Sequence, residues 1–547
     1  MFSQQSRGRV IVYALLPAVV GALSASRAEA CGGFFCSAIP VSQSAEQIIF
    51  RQDGEQVAAF VRIQYQGAAE DFSWVVPVPG IPDVEMSSEL LFQQLDGLTR
   101  PSFQLRYEGD LCQRGPFFGV ADGVAAPQAD GNSPGGSVVV LEDKVVGPFN
   151  VQIINSDDAD AMAKWLVDNG YDLTDRGAAL IAPYVTEGMN FVALKLRKDK
   201  DVGDLVPLKM VYKTDRPMVP IRLTAVAATQ DMGVIVWVVG PARAVPTNFP
   251  HVEVNYARLN WLGGTFSLYS DYVNLVTEAM NEAGGMGFAT DFAGGGAELR
   301  ERMPDVATLR ETLDAQRNQL DPAQGLVQIA RTLVYTQSKL SALFAEHLPL
   351  PPDESRFTYG NPQRLAEIFS FIQLRLALDA IAEGIRNDVI DPYEDAIGAL
   401  DGEPYVTRLF TTLSADEMRV DPNFGYNGEL PQQPAIREAR LEGMCIFDTL
   451  HWRLVLGEGT GRDGEVIAEG TGDLPFTVPE DVSKQSAIRE MRYLRETVDP
   501  MVVATGTTPY VNQTDASLCG VLSIPLLGLH VVGLVVVSRL RRRRSRA

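Results

Sequence analysis

The run Val10–Leu23 is apolar throughout; Arg7 and Arg9 precede it, and Ala28-Glu29-Ala30 follows. A charged region, a hydrophobic region and an A-x-A site in that order form a secretory signal, expected to occupy residues 1–30 and to leave Cys31 as the first residue of the mature chain. Export constrains the fold because an oxidising compartment turns cysteines into covalent cross-links. Setting aside Cys519, the mature chain holds Cys31, Cys36, Cys112 and Cys445, and four cysteines allow three pairings. Cys31 and Cys36 enclose only Gly32-Gly33-Phe34-Phe35, and the paired glycines let the chain turn tightly. A Cys31–Cys36 bridge is therefore the first choice, with Cys112–Cys445 following by elimination. Lipidation of Cys31 is a rival, but Ala28 and Glu29 stand where a lipoprotein signal carries an aliphatic and a small residue. Zinc is a weaker alternative, since there is no C-x-x-C pair and the four histidines (His251, His347, His451, His530) are scattered.

The other end predicts an anchor. Residues 519–538, "CGVLSIPLLGLHVVGLVVVS", carry no formal charge, and at about 1.5 Å per residue they reach the thickness of a bilayer core. Arg539, Arg541 to Arg544 and Arg546 follow in a basic tail, 539–547, expected to stay in the cytoplasm with the body outside. Residues 1–30 and 519–547 together carry nine basic residues and one acidic residue. The remaining body has 38 basic against 68 acidic side chains, a net charge of −30. Such a surface repels nucleic acid, and no nucleic-acid partner is expected.

Between the ends the pattern is α+β. A β-rich domain over 31–264 opens with a hairpin around Asp53-Gly54. "DFSWVVPVPGIPDV" reads as a strand until Pro77, Pro79 and Pro82 stop central pairing, and a short helix starts at "SSELLFQQLDGL". Ser156 or Asp157 is expected to cap a helix presenting Met162, Trp165 and Leu166 and ending at Asn169-Gly170. Strands are expected at 206–213, 219–229 and 233–239, the last apolar enough to be buried on both faces. A mainly helical region over 265–403 follows, with a stripe of Tyr272, Leu275, Val276, Ala279 and Met280, then a glycine-rich stretch to Gly296, then helices at 305–320, 323–347 and 362–386. A mixed segment over 404–498 contains a hairpin turning at Asp463-Gly464, and 499–518 reads as a polar stalk.

No catalytic motif survives inspection. Gly131-Asn132-Ser133-Pro134-Gly135 fits G-x-S-x-G, but the residue after the serine must donate its N–H to an oxyanion and Pro134 has none. Gly457-Glu458-Gly459-Thr460-Gly461 runs into a strand, with no helix N-terminus to receive a phosphate. Asp199, Asp201 and Asp204 lack the glycine and distal glutamate of a calcium loop and read as a solvated turn. Trp74, Trp165, Trp237 and Trp261 lie in apolar patterns and read as core rather than as a ligand groove. No catalytic, cofactor-binding or metal-ligating residue is nominated, and no cofactor is implied.

The stretches "ACGGFFC", "FSWVVPVPGIPDV", "VGPFNVQIINSDDADAMAKWLVDNGY", "VPIRLTAVAATQDMGVIVWVVGPARAVPTNF" and, more loosely, "TRLFTTLSADEMRVDPNF" at 407–424 resemble the domain-of-unknown-function 2330 family of exported bacterial proteins. The resemblance implies a location and a domain boundary, and no activity. The tail resembles the C-terminal sorting signals of exported myxobacterial-type proteins, which would make Cys519 a processing or attachment point and a processing protease a partner. The expected protein is an envelope-displayed, membrane-anchored, non-catalytic binding or structural ectodomain whose ligand the sequence does not identify. The alternative is an anchored hydrolase, with or without the help of a metal ion, whose acidic side chains converge only in the fold.

Overall fold

A computed structural model describes residues 45–63, 72–110, 112, 139–497 (apart from 172, 199, 201–204, 227, 264–266, 333–336, 403 and 476) and 513–514. The expected signal peptide, Cys31, Cys36, the span 519–538 with Cys519, and the basic tail lie outside the described residues. So do the G-x-S-x-G match and the aspartates at 199, 201 and 204. Among the described residues no helix is long and apolar enough to cross a membrane. Of the stalk, Gln513–Thr514 is described, pairing antiparallel with the strand Ile488–Tyr493.

The organising element is a seven-stranded sheet in the order Ala289–Gly295, Tyr405–Leu413, Met232–Gly240, Ala45–Asp53, Gln56–Arg62, Leu208–Lys213, Asp83–Met86. Ala45–Asp53 and Met232–Gly240 run parallel; the other neighbours are antiparallel. The hairpin expected at Asp53-Gly54 is present, with Asp53 opposite Gln56. Every residue of Met232–Gly240 is buried. Its alternation divides it between two cores: Val234, Val236 and Val238 face one apolar cluster, and Ile235, Trp237 and Val239 the other.

The first cluster lies against a four-stranded sheet, Ser73–Val78, Asn190–Leu196, Phe149–Asn155, Val139–Val146. Pro77 sits in its edge strand, opposite Phe191. An edge strand has a ladder on one side only, so a missing donor is tolerated there. The helices Ala159–Asp168 and Asp175–Thr186 cover the far face of this sheet. The first is capped by Asp158, which accepts from the N–H groups of Asp160 and Ala161, one residue beyond the caps expected from sequence.

The helical region is an excursion from the large sheet. Ala289–Gly295 and Tyr405–Leu413 are ladder neighbours, Gly295 opposite Tyr405, so everything between them leaves the sheet and returns to it. At the neck the Gly296 N–H donates to the Pro404 carbonyl at 2.6 Å, and a Cβ on Gly296 would sit 2.6 Å from that same oxygen. Only glycine allows this approach. Ladder hydrogen bonds thus cross the boundaries expected at 264 and 403, and the glycine-rich stretch before Gly296 is a strand rather than a connector.

A further correction concerns 219–229, which is a single helical turn, Ile221–Thr224, and not a strand. Pro220 has no N–H to offer a ladder, and the Arg222 N–H donates to the Asp421 carboxylate at 3.0 Å. A second four-stranded sheet, Val466–Thr471, Thr449–Leu456, Ile436–Ile446, Ser102–Gly109, contains the expected hairpin near Gly464 and joins the late segment to an early strand in parallel.

Candidate functional site

The helical turn Ile221–Thr224 is held by a carboxylate on either side, and an open cleft of about 430 Å³ lies beside it. Five segments meet at this cleft: Pro79, then Glu187 and Met189 after the helix Asp175–Thr186, residues 214–222, Asn248, and the loop 419–423. Thr174 caps that helix by accepting from the Gly177 N–H at 3.1 Å, and its last turn carries Tyr184 inward.

Asp421 is the hub. It accepts from the Tyr184 hydroxyl at 2.9 Å, the Arg222 main-chain N–H at 3.0 Å and Arg222 Nε at 2.7 Å. The remaining nitrogens of Arg222 donate to both oxygens of Glu187, at 2.7 and 2.6 Å, while its guanidinium lies 4.2 Å from the centre of the Tyr184 ring. The planar fork therefore joins two carboxylates and an aromatic face, a geometry specific to arginine. Asn248 Nδ2 fixes the loop by donating to the Asp421 carbonyl at 2.8 Å. Burial pushes the Asp421 carboxyl above its ordinary range, opposed by the bonds from Arg222. Burial, with the Asp421 charge second, pushes the Tyr184 phenol up.

Glu46, the second residue of the strand Ala45–Asp53, accepts from Thr224 Oγ1 at 3.3 Å. Burial raises its pKa to about 7, Thr224 opposing and Asp421 adding to the rise. Glu46 is 8 % exposed and is not a lining residue of the cleft.

A second set of charges lies deep under the other face of the large sheet. Arg408 Nη2 is 2.8 Å from Asp96 and its Nε 3.4 Å from Asp291, with the Trp237 ring beneath the guanidinium at 5.4 Å. Asp291 also accepts from the Tyr272 hydroxyl. Arg437 donates to Tyr256 Oη at 2.9 Å and to the Asp291 carbonyl at 2.7 Å. Burial raises the Asp291 carboxyl, with Arg408 opposing, and raises the Tyr272 phenol strongly. His251 is buried nearby, its Nε2 3.1 Å from Thr290 Oγ1; burial, then Arg243 and Arg492, lowers its pKa to about 3, so it stays neutral.

Of the cysteines singled out from sequence, the structure joins Cys112 and Cys445 in a disulfide with Cα atoms 5.4 Å apart. The parallel ladder between Ser102–Gly109 and Ile436–Ile446 brings them together: Gly109 stands opposite Gly443, and the Asp110 N–H donates to the Gly443 carbonyl at 2.9 Å. Gly109, at φ +85°, turns the chain there, and a Cβ would fall 2.1 Å from the Gly443 carbonyl. Trp74, Trp165, Trp237 and Trp261 are core residues, none more than 7 % exposed. Residues 457–461 form the hairpin connection, with the Thr460 hydroxyl donating to the Gly457 carbonyl at 2.6 Å. Among the described residues no group of three or more His, Cys, Asp or Glu side chains is placed to hold a metal ion. Glu46, Tyr184, Arg222 and Asp421 were not anticipated. The available signal was a lone ionisable residue inside an apolar or proline-bounded run, as in "VPIRLT" and "MRVDPNF".

Residues 25–295 match the model of a family described as an uncharacterized protein conserved in bacteria, DUF2330. No curated protein and no solved structure matches the chain. The matched stretch ends with the strand Ala289–Gly295, so it includes Glu46, Tyr184, Arg222 and Asp291 but not 407–424, Asp421 or Arg408.

Proposed function

Taking as premise that the chain belongs to the DUF2330 family through residues 25–295, we propose that it is an exported, membrane-anchored envelope protein whose body is a non-catalytic binding or structural ectodomain. The observation that carries the non-catalytic part is the engagement of the two carboxylates beside Arg222. Asp421 and Glu187 spend their acceptor positions on Arg222 and Tyr184, and Arg222 spends its donors on them. A general base needs a lone pair within reach of a substrate proton, and these carboxylates offer theirs to a neighbouring guanidinium. The cleft then acts as a recognition surface whose lining combines the apolar Met189 and Met218 with the exposed Arg419. The leader, the apolar run 519–538 and its arginine block support export and anchoring.

An anchored hydrolase is the competing reading, and Glu46 is the observation that favours it. A carboxyl with a pKa of about 7 is suited to proton transfer at neutral pH. Its burial away from the cleft lining weighs against that role. Protease treatment of intact cells tests the proposal. Degradation of the body with the membrane still sealed is expected; full protection alongside a cytosolic marker overturns it.

A further inference from the structure

A second cavity, of about 340 Å³, lies between the turn that follows the 3₁₀ helix Tyr256–Arg258 and the helix Leu268–Glu282. All of its lining residues fall within 25–295, whereas the first cleft borrows 419–423 from beyond the family-matched stretch. The helix is amphipathic: Tyr272, Val276 and Ala279 go to the core, and Asp271, Asn274 and Glu278, spaced three and four apart, share the face that lines the cavity. The turn opposite is tied to itself. Trp261 Nε1 donates to the Tyr256 carbonyl at 2.9 Å and the Gly263 N–H to the Asn260 carbonyl at 3.0 Å. A Cβ on Gly263 would lie 2.2 Å from Asn260 Nδ2, so glycine there makes room for the amide.

Much of the charge in this cavity is already engaged. Arg258 Nη2 donates to Glu278 Oε2 at 2.6 Å and its Nε to the Ser483 carbonyl at 3.0 Å, while Ser267 Oγ donates to Asp271 Oδ2 at 3.3 Å. The two amides differ from these. Asn260 Oδ1 bonds nothing although it is buried, and the Asn274 amide has no partner among the described residues. A buried acceptor without a donor is destabilising, so an orphan of this kind at a cavity wall points to something that fills it.

We propose that this cavity binds a neutral sugar, held by Asn260, Asp271 and Asn274. The unspent groups decide the class. Asn260 Oδ1 and Asp271 Oδ1 need donors, and the Asn274 amide N–H needs an acceptor. An ammonium group only donates and a phosphate only accepts, whereas a hydroxyl does both. Each amide or carboxylate plane also sets two polar atoms side by side, and adjacent ring hydroxyls engage such atoms as a pair. Pockets for apolar ligands are walled mostly by hydrophobic and aromatic side chains; here Leu259 and Leu275 are the only apolar lining residues. The inference is independent of the first cleft and of export.

Ligand-observed NMR on the purified full chain, in a detergent without a sugar headgroup, tests it. The probes are glucose, mannose, galactose and N-acetylglucosamine, with methylammonium and N-methylacetamide as competitors of other chemistry. At least one sugar is expected to bind with a Kd on the order of 1 mM, as suits a ligand of about 12 non-hydrogen atoms. Asn274→Ala should weaken that binding about three- to tenfold, and Asp271→Ala about tenfold or more because its acceptor is charged, both with little change in melting temperature. No binding by any of the four sugars at about 50 mM overturns the proposal. So does sugar binding that both substitutions leave unaltered, or tighter binding of methylammonium or N-methylacetamide than of every sugar.

Discussion

Cys112 and Cys445 stand 333 residues apart in sequence and 5.4 Å apart at Cα, joined by a disulfide at the end of a parallel strand pair. The bridge fastens a strand from the family-matched region to one well beyond it. A closed loop of that length removes much entropy from the unfolded chain, and loss of the bridge is expected to cost about 2–5 kcal/mol. Denaturant unfolding of Cys112→Ser with Cys445→Ser should show that loss, and the natural protein under reductant should approach the same midpoint.

Glu46 makes stability fall as pH rises. The folded chain binds its proton more tightly than the unfolded chain does, so its contribution is full below about pH 4.5 and disappears as pH passes about 7. The loss is on the order of 3 kcal/mol. Thermal melts from pH 5 to 8.5 (roughly the range over which such a group titrates) should show a decline that Glu46→Gln largely flattens. An Asp421→Asn variant should leave the decline where it is if burial alone governs it and move its upper end to lower pH if the Asp421 charge contributes; the second outcome is expected, since that charge adds to the rise.

Removing Asp421 should be costly. Asp421→Ala leaves the Tyr184 hydroxyl without its acceptor and Arg222, 17 % exposed, with Glu187 alone. Breaking a buried pair from one side costs about 3–5 kcal/mol, read as a shifted denaturant midpoint. Arg222→Lys should recover little, because an ammonium cannot reproduce the fork.

Arg408 and Asp291 offer a contrasting test, since each is 1 % exposed and they form one unit. Asp291→Leu alone leaves the buried Arg408 guanidinium with Asp96 as its remaining carboxylate, at 2.8 Å, and should be destabilising. Combined with Arg408→Met it should cost less than either single change, because an apolar pair of similar volume avoids the desolvation penalty. A double-mutant cycle measures the coupling.

What could be read from sequence followed local periodicity. The fully buried strand Met232–Gly240, the stripe Tyr272 to Met280 and the hairpin near Gly464 each carry a pattern that one face or one turn imposes. The short helix Ile221–Thr224 escaped because its apolar residues look like a strand, and what decides otherwise is Asp421, some 200 positions away. The strand Ala289–Gly295 escaped because it ends in Gly294-Gly295 next to Gly296, a glycine run that looks like a turn, whereas Gly296 is set by its close approach to Pro404. The cleft was illegible for the same reason: its carboxylates and Arg222 come from distant segments, and only the folded backbone sets them within hydrogen-bonding reach. The Cys112–Cys445 pairing was expected only by elimination from a Cys31–Cys36 bridge, and the latter lies outside the described residues.

An exported body is expected to mature in an oxidising compartment outside the cytoplasm. Intact-mass analysis of the chain recovered from cells quenched with a thiol-alkylating reagent tests it most directly. A mass lacking residues 1–30 is expected, with Cys112 and Cys445 unalkylated until reductant is added. A chain that retains its leader, sediments with the cytosol and carries the alkyl label on both cysteines would contradict it.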